Sequence, residues 1–125
     1  MNNEKGVIIP LTLVISLMTA TLLLHFATRL ENQAKTYELK QHYLLLTLLE
    51  KECISFIVNE LKDPNFTSNH DFSPKTITLH NGTTATITYK NGYQNLDVTY
   101  KFLYNEYLGQ GTIDYHKKHQ TYSLK

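Results

Sequence analysis

The side chains best suited to chemistry in this chain are six histidines, one cysteine and eleven carboxylates. Their spacing decides whether any of them can work together. His116 and His119 stand three residues apart, which on a helix would put two imidazoles on one face as a pair of metal ligands. The segment around them reads instead as a strand end and a turn. With no cysteine or carboxylate triad beside them, they belong with Lys117 and Lys118 to a solvated basic turn, and no metal is expected. The single cysteine, Cys53, excludes both an intrachain disulfide framework and a Cys-rich zinc site. It lies in an apolar helical stripe, so a buried thiol is expected, with an intersubunit disulfide outside the cell as the alternative. The chain contains no glycine-rich phosphate loop, no nucleophile elbow and no acid–base pair at a recognisable spacing. Neither a catalytic residue, a cofactor nor an enzymatic activity is expected.

Charge does not name a partner either. The chain of 125 residues carries twelve Lys and Arg against eleven Asp and Glu, a formal charge of +1, with no basic stripe for sequence-independent nucleic-acid binding. If this chain touched DNA, Lys90, Lys101, Lys117 and Lys118 would be the contacts; DNA is expected to be at most an indirect partner. Seven of the nine tyrosines fall between Tyr89 and Tyr122. Strand propensity and half-buried packing account for them, and a base-stacking platform is the sharper alternative.

The elements that must position these residues begin with an apolar run. From Val7 to Ala27 no residue is charged, and as a helix those residues rise roughly 31 Å, matching a bilayer core of about 30 Å. Lys5 and the initiator amine against Glu4 leave a small positive bias, which places the N-terminus on the cytoplasmic side. Three kinds of segment fit such a run. A cleaved secretory signal needs an A-x-A-like site after a shorter core, and Leu24-His25-Phe26-Ala27 matches it poorly. A permanent anchor tolerates Pro10 as a kink. A signal trimmed at its front and retaining its helix would start at Val7, where Pro10 is the fourth helical residue and its missing N–H costs nothing; Gly6 then lies just outside as an extended protease site.

After Arg29 the pattern becomes one-sided. Leu30, Ala34, Tyr37, Gln41, Leu44, Leu45, Leu48, Leu49, Cys53, Phe56, Ile57 and Leu61 recur at three- and four-residue steps, an amphipathic helix that Asp63-Pro64 stops. Pro64 to Pro74 reads as a polar loop, after which the period becomes two. Thr76–His80, Thr83–Tyr89 and Leu96–Phe102 read as strands, with Asn81-Gly82 and Asn91-Gly92 as hairpin turns. Gly109-Gln110-Gly111 reads as a further connection, with short strands at Thr112–Tyr115 and Thr121–Leu124. The fold expected is α+β: a long N-terminal helix, membrane half plus amphipathic half, packed on a meander of four or five antiparallel strands. The organisation is a leader (1–6), a membrane or filament-core helix (7–28), an amphipathic helix (29–63) and a C-terminal sheet (64–125) forming one globular domain with that helix.

A short leader ending in Lys5-Gly6, an apolar run from Val7, its amphipathic continuation and a small sheet together resemble a type IV pilin or pseudopilin. Lys5-Gly6-Val7-Ile8-Ile9-Pro10, the chain length and the lack of a glutamate in the apolar run are most similar to ComGG-type minor pilins of Gram-positive competence pili. The resemblance implies cleavage between Gly6 and Val7 by a membrane prepilin peptidase. It also implies assembly with major and minor pilins through a membrane platform protein, a single-pass membrane stage, a later place in an extracellular pilus, and support of DNA uptake for transformation. The helix stripe Val14, Leu17, Met18, Thr21 and Leu24 would then pack against other subunits.

One departure from the family has a mechanistic reading. Most pilins have glutamate as the fifth mature residue, where it neutralises the N-terminal ammonium of an adjacent subunit; here that place is Leu11. Leaving such an ammonium unpaired in low dielectric costs several kcal/mol. The expectation is a minor subunit at the tip or in the initiating complex. The alternative is a single-pass anchored extracellular protein that binds a ligand or a regulator and enters no filament.

Overall fold

The structure is a computed structural model and describes residues 3–69 and 72–125. Its longest element is α1 (Asn3–Lys62), followed by α2 (Pro64–Asn69), β1 (Lys75–Thr78), β2 (Thr84–Asn91), β3 (Asn95–Tyr104), β4 (Tyr107–His116) and β5 (Thr121–Leu124). The chain divides at His42 and Tyr43 into two units, and α1 contributes to both.

Among the described residues the first unit is helix alone. It is long and apolar enough to cross a membrane, and none of its apolar window is buried. Helical backbone extends back to Asn3, past Gly6, so that Pro10 stands inside the helix instead of in a first turn that opens at Val7. Met1 and Asn2 of the leader lie outside the described residues. Pro10 has no N–H to offer the Gly6 carbonyl, so the end of the helix lacks one bond of its ladder. Every described side chain from Ile8 to Gln41 is exposed.

The second unit is built on the periodicity switch. Its sheet is a five-stranded antiparallel meander in the order β1-β2-β3-β4-β5. Val98 lies opposite Tyr89 and Ile113, Tyr100 opposite Ile87 and Gly111, and Phe102 opposite Ala85 and Gly109, so alternate residues of three strands share one face. Leu49, Cys53, Ile57 and Leu61 of α1 meet that face and with it form the buried core. These four recur every four residues, a stripe narrower than the sequence suggests. Leu44, Leu48 and Phe56 of this unit are exposed beside it, and in the first unit Leu30 and Tyr37 are exposed as well. Each fully buried aliphatic side chain contributes about 1.5–3 kcal/mol.

Two readings of the sequence are corrected here. Gly109-Gln110-Gly111 is no connection but the middle of β4. A Cβ on Gly109 would come within 2.1 Å of Phe102 Cζ, and one on Gly111 within 2.3 Å of Tyr100 Oη. The glycines are therefore strand residues over which two large rings lie. The turn falls at Asn105, whose φ of 52° is left-handed, a conformation asparagine tolerates. The strand expected at Thr112–Tyr115 accordingly begins at Tyr107. The second correction is α2, where a loop was expected: Asp63 Oδ1 accepts a bond from the Asn65 N–H at 2.9 Å. The dipeptide that stops α1 thus serves as N-cap and first residue of the next helix. The first two hairpins close where Asn-Gly predicted, with Gly82 at φ 83° and the Gly92 N–H on the Asn95 carbonyl at 2.8 Å.

Candidate functional site

The largest uncovered feature is the apolar surface of α1. Val14, Leu17, Met18 and Leu24 are exposed, and so is Leu11; Thr21 is exposed beside them. Gly6 and Val7 lie in helical backbone. The polar atoms in this stretch are turned inward on the helix. Thr12 Oγ1 donates to the Ile9 carbonyl at 2.9 Å and Ser16 Oγ to Thr12 at 2.8 Å. Thr19 Oγ1 reaches Ile15, Thr21 Oγ1 reaches Leu17 and Thr28 Oγ1 reaches Leu24. Hydroxyls bonded to carbonyls of the preceding turn carry no unsatisfied donor into an apolar surround. The segment is therefore compatible with a membrane anchor.

The basic residues do not form one patch. Lys101 sits in mid-sheet opposite Thr86 and Gln110, while Lys90 pairs in register with Asp97, which faces Asp114 in turn. Two carboxylates directly opposite each other repel, and the Lys125 ammonium offsets them, 3.3 Å from Asp114 and 3.6 Å from Asp97. Its hydrogen bond to Asp114, then the charges of Asp114 and Asp97, raise the Lys125 pKa. Lys117 is committed locally, to Asn91 Oδ1 and to the Gly92 carbonyl at 2.7 Å. Lys118 lines a hollow of about 570 Å³ with Tyr93, Gln94, His116, Lys117 and His119. The His116 and His119 rings stand edge to face with centroids 5.6 Å apart. Among the described residues no three His, Cys, Asp or Glu side chains gather as a metal-ligand set.

Cys53 is fully buried. Burial first, then the charges of Glu52 and Glu50, push its thiol up to about 11. An intersubunit disulfide there would require α1 to leave the sheet. Of the tyrosines, Tyr100 and Tyr115 are core residues, whereas Tyr37, Tyr43, Tyr93, Tyr107 and Tyr122 are exposed, Tyr93 the most at 97%.

What the sequence did not suggest is a polar group at the C-terminal end of α1. Glu60 accepts from Lys75 Nζ with one carboxylate oxygen and from the Tyr89 hydroxyl with the other. The ammonium also lies 4.7 Å from the Phe66 ring centroid, a cation–π distance. Phe66 meets Phe72 edge to face at 5.8 Å and Tyr89 at 5.5 Å. Burial, then the hydrogen bond and charge of Glu60, raise the Tyr89 phenol and keep it a donor. A second such bond, Tyr100 Oη to Glu50 at 2.6 Å, ties β3 to α1. No short-range motif marks either pair.

Comparison of the chain with family models, with curated proteins and with solved structures finds no match.

Proposed function

We propose that this chain is a minor pilin, or pseudopilin, of a competence-type type IV pilus. In this reading it is a structural subunit that acts in initiation or at the tip, supports DNA uptake and carries no catalytic activity. The observation behind the reading is α1: a segment apolar enough to cross a membrane, exposed on every side, its hydroxyls satisfied internally, and continuous with turns that a small antiparallel sheet covers. A helix with no partner of its own along that length needs lipid or other helices around it. Leu11 in place of a glutamate favours a subunit with nothing assembled above it. Its partners would be major and minor pilins, the prepilin peptidase and the assembly platform, with DNA at most indirect. Its route would run from a single-pass membrane protein with a cytoplasmic N-terminus to the cell surface.

The second reading, an anchored extracellular binding or regulatory protein, has an observation of its own. The backbone is helical through Gly6 to Asn3, whereas a peptidase cuts extended chain. N-terminal sequence and intact mass of the protein from its native membranes separate the two. A start at Val7, with a methylated amine, supports the pilin reading. An intact Met1 overturns it in favour of the anchor, and a start near Thr28 overturns both.

A further inference from the structure

We infer that the turns of α1 just beyond the apolar segment hold the phosphate-bearing headgroup of an anionic phospholipid. The inference rests on the membrane-anchor part of the proposed function and is independent of filament assembly. A groove of about 410 Å³ runs along this part of the helix, lined by His25, Arg29, Asn32, Gln33, Tyr37 and Lys40 together with two threonines. These side chains recur at three- and four-residue steps and so share one face. No carboxylate lines the groove. Glu31 lies outside it and takes Lys35 at 2.8 Å, whereas neither Arg29 nor Lys40 has an ion-pair partner among the described residues. The hydroxyls of Thr28 and Thr36 are already bonded to backbone carbonyls. The donors left to an anion are therefore the Arg29 guanidinium, the Asn32 and Gln33 carboxamides one turn further on, the His25 imidazole, the Tyr37 hydroxyl and the Lys40 ammonium.

Position along the axis gives these donors a depth. Arg29 follows Ile8 by a rise of roughly 31 Å, the thickness of the hydrocarbon core, which sets its guanidinium at the level of lipid phosphates. A planar guanidinium binds a phosphate through two parallel hydrogen bonds. Lys40 lies roughly 16 Å further along the helix axis, beyond the screening distance of about 10 Å, so Arg29 is the cation that meets the headgroup. The two turns before Arg29 expose Leu22 and Phe26. An occupant must therefore meet apolar side chains and a cation within two turns of one helix, which an acyl chain joined to a phosphate does and a free phosphate does not. Tyr37 adds an aromatic ring of the kind found at membrane interfaces.

The test uses the full-length chain in detergent micelles, incubated with equimolar phosphatidylglycerol and phosphatidylcholine of identical acyl chains, with bound lipid counted by native mass spectrometry. A basic residue near an anionic surface gives about a fivefold preference. The parent should retain phosphatidylglycerol over phosphatidylcholine by at least that factor, Arg29→Gln should bring the ratio close to one, and Lys35→Gln should leave it unchanged. Three results overturn the inference: equal retention of the two lipids by the parent, an equal loss on Lys35→Gln, or displacement of phosphatidylglycerol by millimolar inorganic phosphate. Carbonate extraction of native membranes tests the underlying reading separately. A chain released by carbonate removes both the anchor and the headgroup site, whereas a retained chain without lipid preference removes the headgroup site alone.

Discussion

Replacing Glu60 by glutamine tests whether the polar group at the end of α1 holds the helix to the sheet. The carboxylate is 12% exposed and its Lys75 partner 35%, so the pair is neither a surface ion pair worth under about 1 kcal/mol nor a fully buried one whose breaking costs about 3–5 kcal/mol. Glutamine keeps the volume and one acceptor for Tyr89 but leaves the ammonium against the Phe66 ring without its counter-charge. Hydrogen bonds to a charged group contribute about 1.5–3 kcal/mol each; with one lost outright, one weakened and the lysine partly solvated, the expected loss is about 2–3 kcal/mol. For a unit of this size that lowers the melting temperature by roughly 10–20 °C. The assay is thermal unfolding of the full chain in micelles, followed by the near-ultraviolet circular dichroism of the tyrosines, which is insensitive to the apolar half of α1. A cycle with Lys75→Met should return a coupling of at least about 1 kcal/mol. A loss below about 0.5 kcal/mol on Glu60→Gln, or no coupling in the cycle, would refute the reasoning and make the group a solvated contact.

Three further outcomes are expected. Because the folded Cys53 thiol titrates at about 11 instead of its ordinary 9.0, its contribution is complete below pH 9 and is lost as pH rises to 11. The unfolding free energy from denaturant titrations should fall by about 2 kcal/mol across that window, the fall should shrink in Cys53→Ala, and the native thiol should resist disulfide reagents at pH 8 until the protein unfolds. Gly111→Ala puts a Cβ where the Tyr100 hydroxyl lies and should cost about 1–3 kcal/mol by overpacking, measured by urea unfolding, while Gly82→Ala, with open space around it but a left-handed φ of 83°, should cost about 1–2 kcal/mol through backbone strain alone. Leu17→Arg places a charge in mid-segment, worth about 2.5–3.5 kcal/mol against insertion, and should move a fraction of the protein from carbonate-resistant membranes into the supernatant.

Much of this fold is legible in the sequence because its local and global signals agree. The change of period after Pro64 divides helix from sheet, and Leu96, Val98, Tyr100 and Phe102 alternate as written and are buried as written. What was not legible depends on partners far away in the chain. Gly109 and Gly111 look like a turn to any local reading, and only the register with Phe102 and Tyr100 makes them strand. Asp63-Pro64 carries a stop signal and a start signal in the same two residues, and a short apolar contact through Phe66 favours the second. The Glu60 group joins residues 15 and 29 positions apart, beyond the reach of any periodicity. The apolar segment of α1 was legible for the opposite reason, since its character depends on composition and length and on no tertiary contact.

The inward-turned hydroxyls of α1 bear on how freely its apolar half can change company. Each serine and threonine from Thr12 to Thr47 donates to a carbonyl three or four residues earlier, so none of them has to find a mate on a neighbouring molecule. A helix of this kind prefers no rotation about its axis on hydrogen-bonding grounds; shape alone decides how it nests. It can pass from an envelope of acyl chains to one of other helices without breaking or making a single polar bond, and the enthalpic step between the two surroundings is correspondingly small.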